Sequence, residues 1–163
     1  MQRFAAFLLF FLLLGCEKDD ICVDGNTPHL IIRFYDKENP ELTKSVTTLR
    51  ITGEGLSDPL STVNRITTDS IAVPLRSSEN NTVFSFISDS GDNGDGMEMG
   101  ITDVIRFDYQ TREVFVSRAC GYIANYDDLN VMVTMDGDDW IDAVEITNTT
   151  IADEVAAHIK IYH

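Results

Sequence analysis

Basic residues, prolines and cysteines are scarce in this chain of 163 residues, which has twelve Lys and Arg, four Pro and three Cys. Against 27 Asp and Glu, the formal charge is −15. A surface of that sign repels phosphate, so nucleic acids and anionic headgroups, whose binding rests on Lys and Arg, are not expected partners. No apolar run reaches the roughly 18 residues of a membrane-spanning helix. The longest, Phe4 to Leu14, has eleven and as a helix would cover only about 16 Å. No repeat and no proline-rich or low-complexity linker divides the chain. A glycine loop that would cradle phosphate is missing, and so is a serine-hydrolase elbow. No segment has both the length and the apolar stripe of a buried helix; Asn39 to Ser45 and Asp153 to His158 offer at most one helical turn each.

What is present is the pattern of strands. Leu30, Ile32 and Phe34 alternate with Ile31, Arg33 and Tyr35, the period of two that a sheet with one face on a core requires. Similar short runs, rich in β-branched and aromatic residues and bounded by turn formers, cover residues 46–52, 70–75, 82–88, 103–109, 113–119, 122–126, 129–135, 140–147 and 157–162. Such a succession predicts an all-β fold: an immunoglobulin-like antiparallel β-sandwich of Greek-key order, with a small β-barrel as the alternative.

At the amino terminus a basic start, Met1 and Arg3, precedes the apolar run, which ends in Leu13-Leu14-Gly15-Cys16. The stretch resembles a bacterial lipoprotein signal with its lipobox. That resemblance implies diacylglycerol on the Cys16 thiol, cleavage before it and acylation, for example by palmitate, of the new amino terminus. The expected organisation is a signal peptide over 1–15, an acidic tether over 16–26 and one β-sandwich domain over 27–163. Cleavage removes Arg3 alone among charged residues, so the mature chain carries one positive charge fewer, −16. Glu17-Lys18-Asp19-Asp20 is similar to the surface-export signal of Bacteroidota lipoproteins, a resemblance that implies the outer membrane and its outer face. With Cys16 carrying lipid, Cys22 and Cys120 are the remaining pair in a chain bound for an oxidising compartment, and they are expected to be joined. A bridge closing a loop of about a hundred residues is worth about 4 to 5 kcal/mol in the chain-entropy description. Six peptide steps separate Cys16 from Cys22, a reach of about 20 Å when extended, so the domain is expected to ride close to the bilayer.

Three further stretches, Glu113 to Tyr122, Trp140-Ile141 with Val144 to Ile151, and Ala157 to His163, together resemble a family of small uncharacterised lipoproteins of Bacteroidota. The resemblance implies a lipidated cysteine, a second cysteine soon after it and a β-rich body. It lends no catalytic residues.

Candidate chemistry lies in two acidic loops. Asp89 to Glu98 has the acids and glycines of a calcium loop, yet the position that needs a bidentate glutamate is Gly100. Asp89, Asp92 and Asp95 stand as candidate ligands of a looser oxygen cage, against a mobile hairpin connection; Asp136, Asp138 and Asp139 pose the same choice, against a solvated turn. His158 and His163 differ by an odd number, which on one strand sends them to opposite faces and argues against a shared metal ion with His29. Cys120, if bridged, is silent as a nucleophile, and Gly121 beside it suits a close approach or a bulge. Asp69-Ser70-Ile71 resembles the acceptor pattern for O-glycans on exported Bacteroidota proteins and marks Ser70. These readings favour a non-enzymatic envelope module that binds or scaffolds an envelope protein or glycan, needs no cofactor and meets the membrane through its anchor. A hydrolase or carbohydrate-active module using loop carboxylates, and a calcium-binding module, are the alternatives.

Overall fold

The structure is a computed structural model and describes residues 21, 22 and 25–163. The apolar run, Cys16 with its expected lipid and the acidic residues Glu17 to Asp20 lie outside the described residues. The described residues divide into two compact units, one made of residues 27–114 and 124–163, the other of residues 21, 22, 25 and 26 with Phe115–Ile123.

Nine strands follow in order: β1 Leu30–Tyr35, β2 Val46–Gly53, β3 Pro59–Thr68, β4 Ser70–Val73, β5 Asn81–Ser88, β6 Ile101–Ser117, β7 Gly121–Thr134, β8 Ala143–Ile146 and β9 Ile159–Tyr162. They form a four-stranded sheet of order β4-β1-β9-β8 and a five-stranded sheet of order β3-β2-β5-β6-β7. The two sheets pack face to face as a sandwich and do not close into a barrel. No described residue is helical, so neither 39–45 nor 153–158 makes the helical turn it offered.

Alternation explains the packing. In β1, Leu30, Ile32 and Phe34 are buried while Ile31, Arg33 and Tyr35 point away. From the facing sheet come Leu49 and Ile51 of β2, Phe84 and Phe86 of β5, and Ile105, Phe107 and Tyr109 of β6. Phe84, Phe86 and Phe107 form a triad with centroids 6.3 to 6.5 Å apart, Phe84 and Phe86 edge to face and Phe107 tilted against both. Each such side chain, fully buried, contributes about 1.5 to 3 kcal/mol through the hydrophobic effect. One pairing departs from the antiparallel expectation: β1 runs parallel to β9, in the register Ile32↔Ile159, Arg33↔Lys160, Phe34↔Ile161 and Tyr35↔Tyr162.

Two strand readings are corrected. The runs 103–109 and 113–119 belong to one long strand, β6, and 122–126 and 129–135 to another, β7, which passes through Asp128 at a φ of 55°. That left-handed residue interrupts the alternation and makes one strand read as two. The other correction is β3, which lacks an apolar alternation because it is an edge strand whose side chains mostly face water.

The segment between β4 and β5 is held by two tyrosines. Tyr126 Oη donates to the Leu75 carbonyl at 3.1 Å, and Tyr109 Oη donates to the Arg76 carbonyl at 2.8 Å while meeting Thr82 Oγ1 at 2.6 Å. The two rings meet edge to face with centroids 4.9 Å apart. Burial comes first among the causes that raise both phenol pKa values, so both remain donors.

In the smaller unit, Cys22 and Cys120 form a disulfide with Cα atoms 4.8 Å apart and a sequence separation of 98, as the cysteine count implies. The turn after β6 is closed by the Cys120 amide donating to Ser117 Oγ at 3.0 Å. Gly121 is needed for its φ of 71° and not for space, since an added Cβ would meet nothing within 4 Å. Gly25 is the close-approach glycine instead: a Cβ there would lie 2.5 Å from Cys22 Sγ and 2.6 Å from Cys120 Cβ.

Replacing Tyr126 by Phe keeps the ring and leaves the Leu75 carbonyl without its donor. The expected cost is about 1 to 2 kcal/mol of unfolding free energy, read as a lowered urea midpoint at unchanged m-value.

Candidate functional site

The loop from Asp89 to Gly100 joins β5 to β6 and is held by arginines. Arg65 sits on β3 at a φ of 57°, a left-handed conformation that costs a non-glycine residue about 1 kcal/mol or more. Its guanidinium pairs with both oxygens of Asp92, one at 2.7 Å, and donates through Nε to Ser90 Oγ at 3.1 Å. Arg50 of β2 donates to Glu98 Oε2 at 2.9 Å. Glu98 also accepts from Ser90 Oγ, the Gly91 amide and the Gly100 amide at 2.9, 2.9 and 3.2 Å. Burial pushes the Glu98 pKa up, but these hydrogen bonds together outweigh it and bring the pKa down to about 2. Asn93 Oδ1 accepts the Asp95 and Met97 amides, and Gly100 is required because a Cβ would lie 2.4 Å from the Ser88 carbonyl oxygen.

The candidate calcium ligands are therefore not gathered around one point. Asp92 is bound to Arg65, which lowers its pKa mainly through that hydrogen bond. Asp89 adopts a φ of 48° where the chain leaves β5, and the amide of Asp95 is tied to Asn93. In the second loop Asp139 accepts the amides of Asp136 and Gly137 at 3.1 Å each, and Asp136 accepts that of Asp138 at 3.2 Å. This is a self-capped turn. Beneath it Asp103, only 1% exposed, accepts the Trp140 and Ile141 amides at 3.1 and 2.8 Å. Its second oxygen is buried without a partner, and burial, the largest influence, raises its pKa. Among the described residues no three His, Cys, Asp or Glu side chains are placed to share a metal ion.

Each histidine has its own task. His29 Nδ1 meets Glu154 Oε1 at 2.6 Å; His158 is buried and its Nδ1 accepts the Ile31 amide at 3.0 Å; His163 lies edge-on to the rings of Phe34 and Trp140. Burial lowers the pKa of both His158 and His163, so the Nδ1 of His158 stays free to accept.

The outer face of the four-stranded sheet brings together groups that no sequence motif links. The parallel register sets Arg33 beside Lys160 and Tyr35 beside Tyr162, and Ser70 and Glu145 extend the first row on either side. The tyrosine rings are 5.8 Å apart, and Lys160 Nζ stands 5.4 Å above the centre of the Tyr35 ring. Tyr162 Oη donates to Glu145 Oε2 at 2.6 Å, which, as the main cause, pushes its pKa up to about 12. An open groove of about 610 Å³ runs over this array, lined by Arg33, Tyr35, Ser70 and Lys160 and walled by Glu154 to Ala157. A second groove, of about 380 Å³, opens between β3 and β4 and is lined mainly by Leu60, Val63, Ile66, Ile71 and Ala72. Neither of these grooves gathers two carboxylates.

Ser70, the candidate glycan acceptor, thus lies half-buried at the first groove. Arg50, Arg65 and Asp103 carried no motif and were not legible as site residues. Only their being charged residues amid strand patterns hinted at partners, and the partners are remote in sequence.

The profile of a family of unknown function, DUF6452, matches residues 48–163. No curated protein and no solved structure matches the chain.

Glu98 makes acid sensitivity testable. Its pKa is depressed in the folded chain and ordinary in the unfolded one, so its stabilisation is present above about pH 4.5 and is lost as pH falls toward about 2. Glu98→Gln should lower stability at pH 7 by about 1 to 3 kcal/mol, and the gap to wild type should narrow at pH 3 in urea titrations.

Proposed function

The chain belongs to DUF6452, and we propose that it is a lipid-anchored protein of the bacterial outer membrane that acts by binding, without catalysis. The observation that carries this reading is the Cys22–Cys120 disulfide. A bridge of this kind suits an oxidising compartment, and it fixes the tether six residues beyond Cys16, the cysteine that ends the lipobox-like run. Two or three acyl chains on Cys16 would hold the protein stably, since each buried methylene adds about 0.8 kcal/mol.

The binding face we assign is the outer surface of the four-stranded sheet. Arg33 and Lys160 are adjacent cations on an otherwise acidic chain, Lys160 lying also 3.6 Å from Glu145 while Arg33 makes no ion pair among the described residues, so the Arg33 side of this face suits an acidic envelope protein or a carboxylated glycan. The aromatic pair next to them adds apolar area with little rotamer entropy to lose. Against the hydrolase alternative stands the engagement of the loop carboxylates: Asp92 and Glu98 are held by arginines, and Asp103, whose pKa is raised, lies sealed under Trp140 and Ile141. A general acid needs access to substrate.

Fractionation of the native host tests the anchor. Wild type should sediment with outer membranes and show Cys16 carrying acyl chains by intact mass spectrometry, whereas Cys16→Ala should carry no acyl chain, keep its apolar run and leave the outer-membrane fraction. A wild-type chain with a retained Met1 and free thiols would defeat the proposal. The pair Arg33→Glu and Lys160→Glu should stay membrane-bound and folded while losing at least about tenfold in affinity for an acidic partner.

A further inference from the structure

The smaller unit exposes apolar side chains where a soluble hairpin would place polar ones. Phe115 near the end of β6 is 56% exposed, Tyr122 at the start of β7 is 68% exposed, and Ile21, next to the bridged Cys22, is 82% exposed. The two rings are in edge-to-face contact, with centroids 5.3 Å apart, so they form one patch. Beside them Arg118 and Ala119 stand exposed in the turn. Aromatic rings with a polar tip or a neighbouring cation are the side chains that settle at the boundary between hydrocarbon and water.

Chain length says what meets this patch. Cys16 precedes Cys22 by six residues, so an acylated Cys16 keeps the disulfide within about 20 Å of the lipid surface. The disulfide ties that point to Cys120, two residues from Tyr122 and five from Phe115. Charge agrees, because a mature chain of −16 is repelled by an acidic surface and approaches a bilayer most readily through an apolar spot whose neighbour Arg118 is a cation.

We infer that Phe115 and Tyr122, at the disulfide-clamped tip of the β6–β7 hairpin, insert into the lipid interface and hold the smaller unit of the anchored protein against the membrane. The inference rests on lipidation of Cys16, and its test separates the two. Tyr122→Trp in the full lipidated chain, reconstituted in phosphatidylcholine vesicles with brominated acyl chains, should show blue-shifted and quenched emission beyond that of wild type, whose single tryptophan is Trp140. The double variant Phe115→Ser with Tyr122→Ser, checked for its disulfide and strand content, should pass from donor to acceptor vesicles about tenfold faster than wild type.

Emission of Tyr122→Trp unaffected by brominated lipid, in a chain whose mass shows acylated Cys16, overturns this inference and leaves the anchoring intact. An unmodified Cys16 thiol overturns both. A lipid-free chain that dimerises in light scattering, and stops doing so in the double serine variant, assigns the patch to a second copy and overturns membrane insertion.

Discussion

The pairing of the first strand with the last is the constraint on which the sandwich and its outer face both depend. Residue for residue, β1 and β9 run parallel, so Ile32 and Phe34 meet Ile159 and Ile161 on the inside while Arg33 and Tyr35 meet Lys160 and Tyr162 on the outside. With a side-chain period of two, a slip of one residue would turn Arg33 and Lys160 toward the core and the isoleucines toward water. Burial of charge without a partner is far more costly than loss of one apolar contact. The core therefore fixes the register, and the register assembles the charged and aromatic array. His158 adds a lock at the entry to β9: its backbone amide donates to the Ile31 carbonyl while its ring accepts the Ile31 amide, so both polar groups of one β1 residue are satisfied by a single partner.

Acidic excess shapes the loops differently from what composition suggests. Many carboxylates near glycines look like a cage for a cation, but a cage needs oxygens left free to converge, and here the arginines arrive first. Arg65 is aimed at Asp92 and Ser90 by a backbone conformation disfavoured for its residue type. Glu98 is enclosed by Arg50, Ser90 and two backbone amides. Strain at Arg65 is offset by ion pairs that are partly shielded from water. In the loop before β8 no arginine takes part, and backbone amides do the same job for Asp103, Asp136 and Asp139.

Alternating apolar residues made the inner strands legible: Leu30 to Phe34, Ile51 and Phe84 to Phe86 lie where the period of two places them. The expected sandwich is found, and the bridge between Cys22 and Cys120 is present. The losses have physical causes. β3 faces water along much of its length and so lacks an apolar signature, while Asp128 breaks the period inside β7 and conceals its continuity. The outer array was not legible at all, because Arg33 and Lys160 are brought together only by a pairing across the whole chain. Gly25 and Gly100 matter for what an added Cβ would strike, a property of the folded neighbours that no local pattern carries.

The disulfide also changes what the tether can do. With the bridge, the smaller unit is fixed six residues beyond Cys16, a leash of about 20 Å. A shorter leash raises the effective concentration of any weak contact near its end. On the anchoring proposed above, two exposed rings that would bind a bilayer feebly from free solution would meet it almost continuously, because the acyl chains would already have met the entropic cost of bringing protein and membrane together. On the anchoring proposed here, the bridge therefore acts on stability through the unfolded chain and on the membrane contact of the smaller unit through the folded one, and the second effect needs no more apolar surface than Phe115, Tyr122 and Ile21 expose.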